Sequence, residues 1–145
     1  MAGGTGEPIR VAAAAIINGR DEMLLVRKRG SRHFMQPGGK IDAGETPVAA
    51  LVRELREEIA LDLPESALTY EGLFAADAAN EPGRQVVADV FSVFAEADVS
   101  PQAEIEELCW MPLAGEIGVP RAQLSEDHVF PLAQARARAR SAEAG

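Results

Sequence analysis

Short apolar blocks alternate with polar turns along this chain. The first block covers residues 9–17 and ends at Asn18-Gly19, a dipeptide typical of the tight turn in a β-hairpin. A second block covers residues 23–29. We interpret the two blocks as neighbouring strands. The four alanines at 12–15 are poor strand formers, however, and by themselves they would favour a helix.

A helix follows these two strands, and the sequence indicates both its start and its buried face. Thr46 can cap the free backbone N–H groups of the first turn, and Pro47 fits the first helical position. The residues after Pro47 then repeat at helical spacing, so that one face meets a core. The apolar members of this repeat are Val48, Leu51, Val52, Leu55 and Ile59.

Three later segments are interpreted as further strands, with a polar loop at 75–84 between the first two. These strand segments are 68–74, 85–95 and 104–113. Ser125 is expected to cap a C-terminal helix, and Pro131 marks a point where that helix kinks or restarts. This order of elements predicts a mixed sheet with helices on its faces, in the α/β (α+β) class.

The length of 145 residues suits one domain with its own core. We expect that domain to cover residues 9–140. The glycine-rich leader 1–8 is expected to be flexible, and the tail 141–145 is expected to fray.

The charge and the cysteine content narrow the range of partners. A net charge of −9 argues against binding a nucleic-acid polymer, which requires a basic surface. Cys109 is the only cysteine, which predicts a reducing, cytoplasmic environment. The longest apolar run, at 11–17, is too short to span a membrane. No apolar seam requires a homodimer, although one is possible.

Three carboxylates on the predicted helix suggest a metal site. Glu54, Glu57 and Glu58 fall within roughly a quarter of a turn, at about 100° per residue. Like charges at this spacing repel each other, so a cation among them would relieve the repulsion. Oxygen ligands of this kind suit Mg²⁺ or Mn²⁺. The alternative is an ordinary solvated acidic face.

The residues around these glutamates follow a longer pattern. The spacing is G-x5-E-x7-R-E-x-x-E-E, and it resembles the Nudix box, G-x5-E-x7-R-E-U-x-E-E-x-G-U, in which U is a bulky aliphatic residue. The matching residues are Gly39, Glu45, Arg53, Glu54, Glu57 and Glu58, with Leu55 and Leu61 at the two U positions. Ala60 stands where the box has its final glycine, and we expect a small cost at the end of the helix.

The resemblance implies a Nudix-type α/β/α sandwich and a metal-dependent hydrolase. Its substrate would be a nucleoside diphosphate linked to another group, cleaved at the pyrophosphate bond with Mg²⁺ or Mn²⁺. In its compact size the chain resembles MutT-type nucleoside triphosphate pyrophosphohydrolases. ADP-ribose, nucleotide-sugar and dinucleoside polyphosphate hydrolases share the box, and a nucleotide-sensing domain without catalysis is the alternative of another class.

The resemblance also suggests roles for individual residues. The Gly38 carbonyl, Glu54, Glu57 and Glu58 are expected to hold metal, with Glu57 or Glu58 as principal ligands. Glu104 is a further candidate ligand, with Glu106 and Glu107 as rivals. The catalytic candidates are Glu54, Glu57 and Glu104, and the general base is either Glu54 or Glu104. Gly39, Glu45 and Arg53 are expected to brace the box structurally.

A basic cluster of Arg27, Lys28, Arg29 and Arg32 precedes the box, and the alternative to a functional role is a solvated strand end and loop. Arg27, Arg29 and Arg32 are candidates for contacts with substrate phosphates, because the segment leads directly to Gly38. Phe34 in the same segment either stacks on a base or packs in the core, and packing is the favoured interpretation.

Overall fold

The computed structural model describes residues 7–78, 81–96, 98–114 and 119–144. Within these ranges, six strands form one sheet, and two α-helices flank it. The strands are β1 (Ile9–Ile17), β2 (Glu22–Lys28), β3 (Gly38–Lys40), β4 (Thr69–Asp77), β5 (Gln85–Phe94) and β6 (Ile105–Pro112). The helices are α1 (Pro47–Ile59) and α2 (Phe130–Ala144), with a 3₁₀ turn at Glu65–Ala67 and a π-helical turn at Ser125–Val129.

The sheet is mixed, as predicted. Its order is β4-β5-β1-β2-β6, and β3 pairs with β1. Strand β1 runs parallel to β5 and antiparallel to β2 and β3. The expected pairing of the first two strands is therefore confirmed.

The alanines of β1 lie at the centre of the fold. Ala12 to Ala15 are at most 1% exposed, and successive residues contact opposite layers. Ala12 and Ala14 pack on the side of α1, whereas Ala13 and Ala15 pack on the side of α2. A strand covered on both faces has no polar side, and small residues let both helices approach it closely. The result is an α/β/α sandwich.

Helix α1 begins and ends where the sequence indicates. The Thr46 hydroxyl accepts the backbone N–H of Ala49 at 3.2 Å, and Pro47 occupies the first position. The helix ends at Ile59, and Ala60 adopts a left-handed conformation with φ of 56°. Glycine is the residue that takes this conformation without strain, which explains the glycine of the box pattern at this position.

Two strands differ from the prediction. Strand β4 continues to Asp77, three residues into the segment predicted as a loop, because its backbone pairs with β5 as far as Gln85. Strand β3 was not predicted, because three residues give no periodicity from which to recognise a strand.

The C-terminal helix also differs from the prediction. Ser125 is not a cap, because it is fully buried inside the π-helical turn and its hydroxyl contacts Gln36. Pro131 is the second residue of α2, just after that turn, and it has no backbone N–H to donate there. Helix α2 extends to Ala144, into the segment predicted to fray. Residues 1–6 of the predicted leader, and residue 145, lie outside the described ranges. None of the described helices is long and apolar enough to cross a membrane.

Replacing Ala60 by glycine should stabilise the protein. The change removes the strain of a left-handed alanine, which is about 1 kcal/mol. Urea denaturation of Ala60→Gly measures it. The control is Ala135→Gly at an exposed position inside α2, where the same change should destabilise by about 1 kcal/mol. A loss of stability in Ala60→Gly would contradict the assignment of strain to this residue.

Candidate active site

A cleft of about 690 Å³ lies where β3 and α1 approach the end of β2. The pairing of β3 with β1 places Gly38 and Gly39 beside the central strand. Helix α1 presents two of its glutamates to the same space. The predicted site residues that line the cleft are Gly38, Gly39, Glu54, Glu58, Glu104 and Arg29.

Glu58 is the buried carboxylate of this cleft. It is 6% exposed, and its Oε1 accepts the backbone N–H of Gly38 at 3.1 Å. Burial raises the pKa of Glu58 to about 7, and the charges of Glu54 and Glu104 add to the rise. The Gly38 hydrogen bond and the charge of Lys28 act in the opposite direction. Burial is thus the main cause of the rise, and the nearby positive charge opposes it only in part.

The two glycines are required for different reasons. Gly38 has φ of +145°, and a Cβ there would lie 2.1 Å from the Ala12 carbonyl oxygen. At Gly39, a Cβ would lie 2.2 Å from Oε2 of Glu54. Gly38 therefore allows the backbone to pass β1, whereas Gly39 leaves room for the Glu54 carboxylate.

Arg53 joins the loop before α1 to the glutamates of the helix. Its Nε donates to Glu45 at 2.8 Å, and its Nη1 donates to Glu54 at 2.8 Å and to Glu57 at 2.9 Å. The hydrogen bond from Arg53, followed by one from the Asp42 backbone, lowers the pKa of Glu45 to about 2. The predicted contact between Glu45 and Arg53 is thus present. Arg53 also supplies a cation to Glu54 and Glu57, so their mutual repulsion does not by itself require a metal.

The remaining acidic candidates are separated by the structure. Glu57 lies outside the cleft lining, with its side chain 54% exposed and held by Arg53. Glu104 lines the cleft, whereas its rivals pair with arginines on β2 and in the turn that follows it. Glu107 contacts Arg27 at 3.1 Å, and Glu106 lies 3.6 Å from Arg29. The geometry favours Glu104 over its two rivals.

Of the basic and aromatic candidates, one lines the cleft and the others lie outside it. Arg29 lines the cleft, whereas Arg27 is held by Glu107 and by the Ser31 carbonyl outside it. Arg32 is exposed and does not line the cleft. Phe34 is 6% exposed within the core on the α2 side, so the packing interpretation is correct and stacking on a base is not.

Two further residues line the cleft: Lys28, which belongs to the basic cluster before the box, and Gln36, which was missed as a candidate from the sequence. Lys28 lies two residues after Val26 on β2, so alternation along the strand places it on the α1 side, next to Glu58. That signal was available in the sequence. Gln36 lines the cleft and is held by Ser125, which lies 89 residues later in the chain. No local sequence pattern reveals this contact.

The donor atoms of the cleft fit a divalent cation. In the described ranges, no three acidic, histidine or cysteine side chains are gathered closely enough to hold an ion. Arg53 holds the Glu54 carboxylate in this arrangement. Glu58, Glu54 and Glu104 are nevertheless hard oxygen donors around one cleft. Glu58 is buried beside two further carboxylates of the cleft, and an added cation would stabilise its charged form.

Comparison with known proteins settles the family. A sequence profile described as NUDIX domain matches residues 7–133. The chain belongs to the NUDIX family. Members of this family generally use divalent metal cations.

Solved Nudix structures share the fold. The MutT protein of Methanosarcina mazei Go1 superposes with a TM-score of 0.72 at 24% identity, over 91% of this chain and 97% of that one. The NUDIX domain of Shewanella oneidensis NrtR, solved with ADP ribose, gives a TM-score of 0.71 at 22% identity, over 92% and 89% of the two chains.

The curated relatives match over part of their length. An octanoyltransferase of Myxococcus xanthus is 37% identical over 111 residues, which are 72% of this chain and 31% of that protein. An 8-oxo-dGTP diphosphatase of Haemophilus influenzae is 47% identical over 57 residues, 37% of this chain and 42% of that protein. The matches thus span less than half of these relatives, and their names alone assign no activity to this Nudix domain.

Substituting the two glycines by alanine should have different effects. Gly38→Ala forces a Cβ against backbone and should cost about 2 kcal/mol or more of stability. In Gly39→Ala the new Cβ contacts only the Glu54 side chain. This variant should therefore lose less stability than Gly38→Ala, while the Glu54 carboxylate moves away from its present position. Urea denaturation and crystal structures of both variants measure this. Gly44→Ala, at positive φ in open space, is the control, with a cost of about 1 kcal/mol. An unmoved Glu54 in Gly39→Ala would contradict the account.

Proposed function

We propose that this Nudix domain hydrolyses a pyrophosphate bond in a nucleoside diphosphate linked to another group, with a nucleoside triphosphate as the substrate. The observation that carries the proposal is the cleft lined by Glu58, Glu54 and Glu104, in which Glu58 accepts a hydrogen bond from the Gly38 backbone. The similarity to 8-oxo-dGTP diphosphatases over 57 residues supports a MutT-like reaction.

Glu58 and Glu54 are the proposed metal-holding carboxylates, together with the Gly38 carbonyl and Glu104. A bound Mg²⁺ or Mn²⁺ supplies charge neutralisation for the phosphate oxygens and lowers the pKa of water. Glu57 stays a predicted ligand. In this structure its carboxylate contacts Arg53 instead of lining the cleft.

The other groups of the cleft orient the phosphates and move the proton. Lys28 and Arg29 line the same space and offer positive charge to phosphate oxygens. The general base is Glu54 or Glu104, since both line the cleft and either can accept a proton from the attacking water. Arg53 restrains Glu54, whereas Glu104 is exposed at the end of a loop before β6.

A second substrate class has its own support. The Shewanella oneidensis NUDIX domain was solved with ADP ribose, and its fold matches most of this chain. A domain that binds such a nucleotide without hydrolysing it is the alternative from another class. The cytoplasmic location and the possible homodimer remain predictions.

A panel of substrates tests the reaction. With Mg²⁺ or Mn²⁺ present, chromatography should show release of pyrophosphate and a nucleoside monophosphate from a triphosphate, canonical or oxidised. The panel also contains ADP-ribose, dinucleoside polyphosphates and nucleotide sugars. Preferential cleavage of one of these compounds would replace the nucleoside triphosphate as the proposed substrate. No cleavage of any compound by folded protein, with either metal, would contradict the hydrolase proposal.

Replacing Glu58 by glutamine should remove hydrolysis without unfolding the protein. We expect a loss of about a hundredfold or more in kcat, because the cation loses a charged ligand. Stability at pH 8 should equal or exceed that of wild type, since a buried charge is removed and the Gly38 N–H keeps an acceptor. The control is Glu65→Gln, an exposed glutamate of the 3₁₀ turn, which should hydrolyse normally. Wild-type kcat in Glu58→Gln would contradict the metal assignment.

Glu104 and its two rivals can be separated in the same assay. Glu104→Gln should lower kcat by about tenfold or more, whether the carboxylate binds metal or accepts a proton. Glu106→Gln and Glu107→Gln are matched controls, because these side chains lie on β6 outside the cleft. A larger loss in either control than in Glu104→Gln would overturn the choice of Glu104.

A further inference from the structure

Gln36 is a polar residue of the cleft wall that the phosphate chemistry does not use. It is 8% exposed and lines the same cleft as Glu54 and Glu58. It immediately precedes Pro37 and the glycine pair that begins at Gly38. A carboxamide in such a place presents either an acceptor or two donors to a bound molecule, depending on how it is held.

Ser125 determines how the carboxamide is held. Its Oγ accepts the backbone N–H of Gln36 at 3.2 Å and donates its hydroxyl hydrogen to Oε1 of the same residue. Ser125 is fully buried, within a π-helical turn, a feature frequent at functional sites. Since Oε1 faces Ser125, the amide N–H groups are left for another acceptor. Among the described residues, Nε2 of Gln36 donates to no protein atom.

The same segment also reaches a second polar residue of the cleft. The side-chain oxygen of Gln123 accepts the backbone N–H of Asp77 at 2.6 Å, and Asp77 lines the cleft. An ionised aspartate such as Asp77 accepts hydrogen bonds and donates none. Ser125 thus orients the amide donor of Gln36, and Gln123 holds the end of β4 at Asp77, which offers an acceptor. Gln36 and Asp77 both line the same cleft.

We propose that Gln36, oriented by Ser125, is a specificity-determining residue that donates to a carbonyl oxygen on the nucleobase. The inference rests on the proposed hydrolysis of nucleoside triphosphates. Keto bases present a carbonyl beside an N–H group, which matches a donor from Gln36 and an acceptor such as Asp77. Adenine and cytosine present an amino group at the corresponding edge, and two donors would then face each other.

Discrimination between bases tests this role. The measured quantity is kcat/KM with Mg²⁺ for dGTP and dTTP relative to dATP and dCTP. The wild type should favour the keto pair by about tenfold, the value of one hydrogen bond. Gln36→Leu should bring the ratio close to one. Gln36→Glu, nearly isosteric, should reverse it, because a carboxylate accepts from amino groups. Gln85→Glu, on the exposed start of β5, is the matched control and should keep the wild-type ratio.

A purely structural role would not alter the ratio. Ser125→Ala keeps Gln36 but releases its amide, so discrimination should fall although the donor is still present. Circular dichroism confirms folding of each variant. If the wild type hydrolyses triphosphates and the ratio is the same in Gln36→Leu and Gln36→Glu, this inference is overturned and the proposed function stands. If the wild type hydrolyses no triphosphate, the proposed function fails and this inference fails with it.

Discussion

The burial of the Glu58 carboxylate against the backbone of Gly38 is the interaction on which the site depends. It joins the last turn of α1 to β3, and β3 in turn pairs with the central strand β1. A hydrogen bond to a charged group contributes about 1.5–3 kcal/mol. Burying an ion costs several kcal/mol, so this bond alone does not offset the cost. A cleft that keeps Glu58 as a carboxylate therefore needs more positive charge than its backbone supplies, and that need links the fold to the proposed chemistry.

Arg53 explains how the other glutamates of α1 are tolerated without a metal. Its guanidinium contacts Glu45, Glu54 and Glu57 together, in a fork that a lysine could not reproduce. The result is a helix in which the Glu54 and Glu57 carboxylates are partly neutralised, whereas the buried Glu58 carboxylate is not. The cation site is thus proposed at Glu58 on the evidence of burial, and not on the number of glutamates in the segment.

The sequence was a good guide wherever a short segment decides the structure. The cap at Thr46, the apolar face of α1 and the hairpin turn at Asn18-Gly19 are local signals, and each was confirmed. The box pattern placed Gly39, Glu54 and Glu58 beside one another because it spans a loop and a helix that are adjacent in the chain. Ala60, the one departure, fell at the left-handed position where glycine is preferred.

Contacts between distant segments were not predictable in the same way. Ser125 resembles a helix cap in the sequence, yet it is buried against Gln36, and only the packing of the C-terminal helix on the sheet reveals this. Phe34 lies in a basic segment but turns into the core. Neither the pairing of β3 with β1 nor the ion pair that keeps Arg27 from the cleft has a periodic signature.

The central claim is that the carboxylates of this cleft hold a divalent cation at Glu58. Crystals grown with Mn²⁺, with data collected at its absorption edge, locate the ion by anomalous scattering. The account predicts a peak within ligand distance of the Glu58 carboxylate and the Gly38 carbonyl oxygen, and its loss in Glu58→Gln. A cleft without a peak at a saturating concentration of Mn²⁺, or a peak that persists in Glu58→Gln, would contradict it.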